Sequence, residues 1–255
     1  RVLAEGAQAQ GEAKGAPGPK YLNSPETPLF EKGRELYGFA QARPAIRSAG
    51  RAVVVEGYMD VVALAQHGID YAVATLGTAT SATQVQKLLR HTDDVIFCFD
   101  GDAAGRKAAR QALEVSLSQL ADNKAVRFLF LPPEHDPDSF IREKGTDAFA
   151  ERLRDARPLS EFFLDELKAH ADIKTLEGRS RLVHEAKPLL RQISARALQL
   201  QLLKAVADAA GMTQEEAAQL TDVRSAANHP TRPVPGRGAE RAGQAPGLRT
   251  LRNLL

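Results

Sequence analysis

The chain has 255 residues, 43% hydrophobic and 26% charged, which suits a globular protein of one or two domains with a sizeable core, and no apolar run approaches the length of a membrane span. Cys98 is the single cysteine, which excludes an internal disulfide and a multi-cysteine zinc site and fits a reducing, cytoplasmic setting. A formal net charge of +2 is no nucleic-acid signature by itself.

Residues 1–29 are rich in Gly, Ala, Pro and Gln and read as loop or extended chain, with a turn-rich stretch at Tyr21–Pro28. The chain starts at Arg1 and reads as a piece of something longer. A helix is expected from Phe30 through Ala42. Val53–Val55 is a buried strand, and Asp60 is placed to cap a helix over Val61–His67 that Gly68 ends. Tyr71–Leu76 is the second strand. Ser81 and Gln84 form an S-x-x-Q capping box for a helix carrying Val85, Leu88 and Leu89. Asp94–Phe99 is the third strand, Asp102–Leu120 a long helix, and Val126–Leu131 a fourth strand ended by Pro132 and Pro133. Cys98, inside the third strand, reads as an inert core thiol.

This alternation predicts a parallel α/β sheet with right-handed crossovers, covered on both faces. After residue 145 the pattern turns helical, with helices expected at Asp147–Asp155, Leu159–Ala171, Glu177–Ile193, Ala195–Ala210 and Gln214–Leu220. Residues 223–247 read as a flexible linker. From 223 to 255 the chain is basic, with six arginines against Glu240 alone. Leu248–Leu255 reads as the first turns of a further helix.

Three strand ends deliver acids: Glu56 and Asp60 after the first, Asp100 and Asp102 after the third, Asp136 and Asp138 after the fourth. In a parallel sheet these ends share the edge where ligands bind. Carboxylates crowded there repel one another unless a divalent cation neutralises them. Glu56, Asp100 and Asp102 are therefore the candidate ligands for phosphoryl chemistry, with Gly101 leaving room for a sharp turn and for an ion or phosphate. Arg106 and Lys107, on the following first helical turn, are placed to balance the acids or hold a phosphate. Taken singly, each element also has a plain structural reading: D-G-D as a turn or cap, Asp136-Pro137-Asp138 as a surface turn with Asp138 capping a helix, and Lys107 as part of a solvated face.

The stretches VVVEGYMDVVALAQHGIDYAVATLGTATSATQVQKL, VIFCFDGDAAGRKAARQAL and FLPPEHDPDSFIREKG, with KYLNSPETPLFEKGRELYG upstream, resemble bacterial replicative DNA primases over residues 18–220. The resemblance implies a toprim fold, a Rossmann-like parallel sheet flanked by helices, followed by an all-helical subdomain. It divides the chain into the end of an amino-terminal catalytic subdomain with its connector (1–48), toprim (49–145), a helical subdomain (146–222), a basic linker (223–247) and the start of a helicase-binding domain (248–255). It implies Mg²⁺ (or Mn²⁺) bound by Glu56, Asp100 and Asp102, with Asp136 and Asp138 as further acids at the metals and Asp60 as a supporting, catalytic acid. Lys20, Asn23, Ser24 and Lys32, with Arg106, would hold template or nucleotide phosphates. The implied reaction joins ribonucleoside triphosphates into short RNA primers on single-stranded DNA in the cytoplasm, beside a replicative helicase bound through a missing carboxy-terminal domain. Zinc is expected only in the family's amino-terminal domain, absent here, and the chain alone is expected to polymerise poorly or not at all. The alternatives are a non-catalytic or nuclease-type toprim module that binds metal and DNA.

Overall fold

The computed structural model describes residues 27, 30–77 and 79–223. The expectations for Lys20, Asn23, Ser24, the basic linker and the helix at 248–255 lie outside the described residues. The chain runs α1 (Phe39–Ala49), β1 (Arg51–Val55), α2 (Tyr58–Gln66), β2 (Ala72–Ala74), α3 (Ala82–Leu89), β3 (Asp94–Phe99), α4 (Ala103–Leu117), β4 (Ala125–Phe130), α5 (Pro137–Arg154), β5 (Arg157–Pro158), α6 (Leu159–Ala169), α7 (Leu176–Gln192), α8 (Arg196–Ala210) and α9 (Gln214–Thr221). The strand order is β2-β1-β3-β4-β5. The pairs among β2, β1, β3 and β4 are parallel, with Val54 opposite both Val73 and Phe97, and Phe97 opposite Phe128.

Strand side chains alternate between two apolar layers, the period-two rule of a pleated sheet. Val53, Val55, Ile96, Cys98 and Leu129 face the cluster that includes α2 and α5. Val54, Phe97, Phe99 and Phe128 face a larger cluster that continues without a break into α6, α7, α8 and α9. Aromatic rings bind the two regions: Phe128 stacks on Phe97 at 5.8 Å and meets Phe162 of α6 at 4.6 Å. The junction is also hydrogen-bonded, since Asp122 Oδ1 accepts from the first-turn N–H groups of α8 at Ala197 and Leu198 (2.9 and 3.2 Å). Burial pushes the Cys98 thiol well above its ordinary value, so it is the inert core thiol expected.

The elements depart from expectation where backbone geometry overrides pattern. Residues 30–38 are a turn and a bridge rather than a helix: Tyr37 exchanges hydrogen bonds with Ala74, and Gly38 at φ 75° stops any helix upstream of Phe39. The helix after β1 starts at Tyr58, with Gly57 as N-cap, so Asp60 is its third helical residue and not its cap. The helix expected to start at Asp147 starts at Pro137, and its cap is Asp136, not Asp138. Pro137 is pre-set for the first helical position, and Gly145 at φ 86° breaks the helix just before residue 147. The two-residue β5, antiparallel to β4, is too short to leave a sequence pattern. The S-x-x-Q box is present: Ser81 Oγ accepts from Gln84 N–H at 3.2 Å, and Gln84 Oε1 accepts from Ser81 N–H at 3.0 Å.

Candidate active site

Because β1 and β3 are parallel neighbours, Val55 and Phe99 deliver Glu56 and Asp100 to the same edge. The nearby Asp100 backbone N–H lowers the Glu56 carboxyl, but less than its surroundings raise it. Partial burial raises the Glu56 carboxyl above its ordinary value, and the charges of Asp100 and Asp102 add to the rise. Asp100 is raised by burial, then by Asp136 and Asp102. The acids of β1, β3 and the β4–α5 loop therefore feel one another.

Asp60 is 9% exposed, and burial, then Asp136 and Asp100, push its carboxyl up to about 6. Its Oδ2 accepts from Gly57 N–H at 3.1 Å, and the Asp138 backbone N–H lies close enough to offset part of the rise. Asp60 thus joins the loop after β1 to the loop after β4. Asp136 is partly desolvated, but the Ser139 hydroxyl and N–H outweigh that and lower its carboxyl. Ser139 N–H donates to Asp136 Oδ1 at 2.7 Å, and Ser139 Oγ accepts from Asp136 N–H at 3.0 Å. Asp138 Oδ1 is buried and lies 2.7 Å from Arg142 Nε, an ion contact without hydrogen-bond geometry.

In the D-G-D turn, Asp102 caps α4, its Oδ1 accepting from Gly105 N–H at 2.7 Å, which leaves its second oxygen outside that bond. Gly101 does not make room for an ion as expected. A Cβ there would sit 2.2 Å from the Leu131 carbonyl oxygen and 2.9 Å from Pro133 N, so the glycine lets the β4–α5 loop close on the turn. Gly105, which the sequence reading passed over, has the same role on the other side: its Cβ would sit 2.2 Å from the Asp100 carbonyl oxygen. Gly101→Ala is expected to cost about 2 kcal/mol by forcing these backbones apart. Denaturant midpoints check this, and a loss within experimental error would refute the close-packed turn.

Arg106 does not sit among the acids; its guanidinium lies over the Phe130 ring at 5.6 Å. Lys107 lines a cavity of about 420 Å³ beside Glu56, together with Thr75, Thr80 and Gln111. Lys32 lies on the turn before α1, which is hydrogen-bonded to α3. The D-x-x-S spacing of Asp136 and Ser139 was a legible signal for the Asp136 cap, missed in favour of Asp138.

The donor set fits a divalent cation in kind, being all carboxylate oxygen, with Glu56 and Asp100 raised by burial and neighbouring acids. It is not a closed cage: among the described residues no three Asp, Glu, His or Cys side chains converge closely enough to hold an ion alone. An open set of carboxylates leaves coordination positions for waters and substrate phosphates.

Three family models match the chain: "Toprim-like" over residues 53–141, "DNA primase catalytic core, N-terminal domain" over 3–43, and "DnaB-helicase binding domain of primase" over 160–215. The chain is 51% identical over 212 residues to a DNA primase of Neisseria meningitidis serogroup A / serotype 4A, covering 83% of this chain and 36% of that protein. The chain belongs to the bacterial DNA primase family. It spans about a third of the length of the curated primases it matches. A DNA primase domain from Pseudomonas aeruginosa superposes with a TM-score of 0.77 at 51% identity, covering 82% of this chain and 65% of that one. A DnaG primase catalytic domain bound to ssDNA superposes with a TM-score of 0.75 at 47% identity, covering 78% and 63%. The toprim-like match spans β2, β3, β4, most of β1 and every acid described above, and stops short of β5. The helicase-binding match falls on α6, α7 and α8 and ends at the start of α9. Among the described residues no helix is long and apolar enough to cross a membrane.

Proposed function

We propose that this chain is the nucleotidyl-transfer core of a DNA primase, which joins ribonucleoside triphosphates into short RNA primers on a single-stranded DNA template in the cytoplasm. The observation that carries the reading is the set Glu56, Asp100 and Asp102 at one strand edge, where burial and neighbouring charge raise the Glu56 and Asp100 carboxyls, in a chain half identical to a DNA primase. Glu56, Asp100 and Asp102 would hold Mg²⁺ (or Mn²⁺), with Asp136 and Asp138 as further acids; the cation supplies charge neutralisation at the triphosphate and lowers the pKa of the attacking 3′ hydroxyl.

The residues of the chain itself bind and orient. Asp60 braces the loops that carry Glu56 and Asp138, so it supports the acids rather than touching substrate. Gly101 and Gly105 hold the Asp100–Asp102 turn against its neighbours. Lys32, with Lys20, Asn23 and Ser24 upstream, is assigned to the phosphates of nucleotide or template. Arg106 is assigned there on the resemblance alone, since the structure seats it on Phe130. Single-stranded DNA as template is supported by the ssDNA-bound relative. Contact with a replicative helicase through α6 to α8 is supported by the 160–215 match.

The test is calorimetric titration of Mn²⁺ into the chain with and without GTP. Binding is expected to be weak alone and at least about tenfold tighter with GTP, because triphosphate oxygens complete an open site. Equal affinity in both titrations would overturn a substrate-completed metal centre. Template-dependent incorporation of labelled ribonucleotides on single-stranded DNA then tests the reaction.

A further inference from the structure

Gln84 is a fully buried polar side chain on α3, and capping that helix uses only one of its atoms. Its Oε1 accepts from Ser81 N–H, which a glutamate would do equally well. Its amide nitrogen instead reaches a turn some fifty residues upstream, donating to the carbonyl oxygens of Lys32 at 3.1 Å and Glu35 at 2.7 Å. Ser81 Oγ donates to the carbonyl oxygen of Gly33 between them. One turn further along α3, Lys87 Nζ lies 2.7 Å from the Glu35 carboxylate. Three side chains of one helix therefore hold the Lys32–Glu35 turn.

The place of this grip matters. α3 follows β2, so its N-terminus lies at the C-terminal edge of the parallel sheet, the edge that carries the acids. The loop entering α3 supplies Thr75 and Thr80 to the cavity that Glu56 also lines. Buried amide donors are costly to leave unpaired, so the turn has little freedom to leave its partners.

We infer that Gln84 is a positioning residue: its buried amide fixes the Lys32 turn at the acid edge, so that Lys32 is set to meet the phosphates of an incoming nucleotide or of the template strand. The inference rests on the proposed assignment of Lys32 to phosphate.

The test compares the unsubstituted chain, Gln84→Glu, Lys32→Ala and the double variant. Gln84→Glu keeps the capping oxygen and loses the amide donors. The probes are Mn²⁺ alone, GTP at saturating Mn²⁺, and a single-stranded dT oligonucleotide; the last two separate nucleotide from template as the source of the phosphate. Each single variant is expected to weaken GTP or oligonucleotide binding about tenfold, and the double variant no more than either alone, since both act on one contact. Mn²⁺ binding is expected to stay unchanged. Ser81→Ala, which frees Gly33 and also removes the Ser81 cap of α3 while leaving the Gln84 amide on its carbonyls, keeps the question open to refutation if Gln84→Glu fails to fold, and should give a smaller loss in the same direction. Gln84→Glu and Ser81→Ala binding like the unsubstituted chain, while Lys32→Ala is weakened, would overturn the positioning role; so would additive losses in the double variant. No effect of Lys32→Ala would overturn the assignment of Lys32 and the inference with it. GTP failing to bind the unsubstituted chain would overturn the functional reading itself.

Discussion

Asp100→Asn/Asp102→Asn is expected to weaken GTP-dependent Mn²⁺ binding by more than about 100-fold, and any primer synthesis by at least as much. The choice of asparagine matters. Asp102 caps α4 through Gly105 N–H, and asparagine caps as well as aspartate, whereas alanine would cost about 1 kcal/mol and confuse metal loss with helix fraying. Asp100 is a source of repulsion for Glu56, Asp60 and itself through its neighbours, so removing its charge relaxes the metal-free fold. The variant should therefore melt no lower than the unsubstituted chain while losing the cation. Calorimetry and thermal melting on the same preparations check both halves. Cation binding that survives the double substitution would move the centre away from these acids.

The metal-free chain is expected to lose stability as pH rises from about 4 to 6, the reverse of a fold held by salt-bridged carboxylates. The sign follows from Asp60. Its folded carboxyl sits at about 6 against an ordinary 3.8, so protons stay bound longer in the folded state than in the unfolded one. Below both values nothing is lost. Between them the unfolded chain gives up its proton first, and above the folded value the full penalty applies, about 3 kcal/mol for a shift of this size. Glu56 and Asp100, also raised, act in the same direction. Asp136 is lowered and opposes them, as do the solvent-exposed Glu143, Glu216 and Asp222. Asp60→Asn keeps an oxygen acceptor for Gly57 N–H while removing the titration, so the difference between its melting profile and that of the unsubstituted chain isolates Asp60. Parallel profiles from pH 4 to 8 would refute the burial of a charged brace. Millimolar Mg²⁺ with GTP should flatten the slope by neutralising the neighbouring acids.

Strand identity was readable because each buried strand is a short apolar run ending in a turn or an acid; Asp94–Phe99 appears with the bounds expected from the sequence. The Ser81 and Gln84 cap was readable from local spacing, but its grip on Lys32 and Glu35 was not, since no local pattern encodes contacts across some fifty residues. The acids were legible as a group because parallel strands share an edge. Their division of labour was not: Asp60 as a buried brace and Asp136 as a helix cap depend on where α2 and α5 begin. Pro137 and the Asp136–Ser139 spacing marked the start of α5, and the break at Gly145 made its second half look like a separate helix. Gly101 was rightly singled out for a tight turn, but the neighbour it admits is protein backbone.

The ring stack from Phe162 through Phe128 to Phe97 has a mechanical consequence. The rings seat α6 directly on β4, and β4 on β3, through one buried aromatic column. β3 ends in Asp100 and β4 leads into the loop carrying Asp136 and Asp138. Because a close-packed interior leaves no slack, displacing α6 would disturb the strands from which Asp100, Asp136 and Asp138 hang.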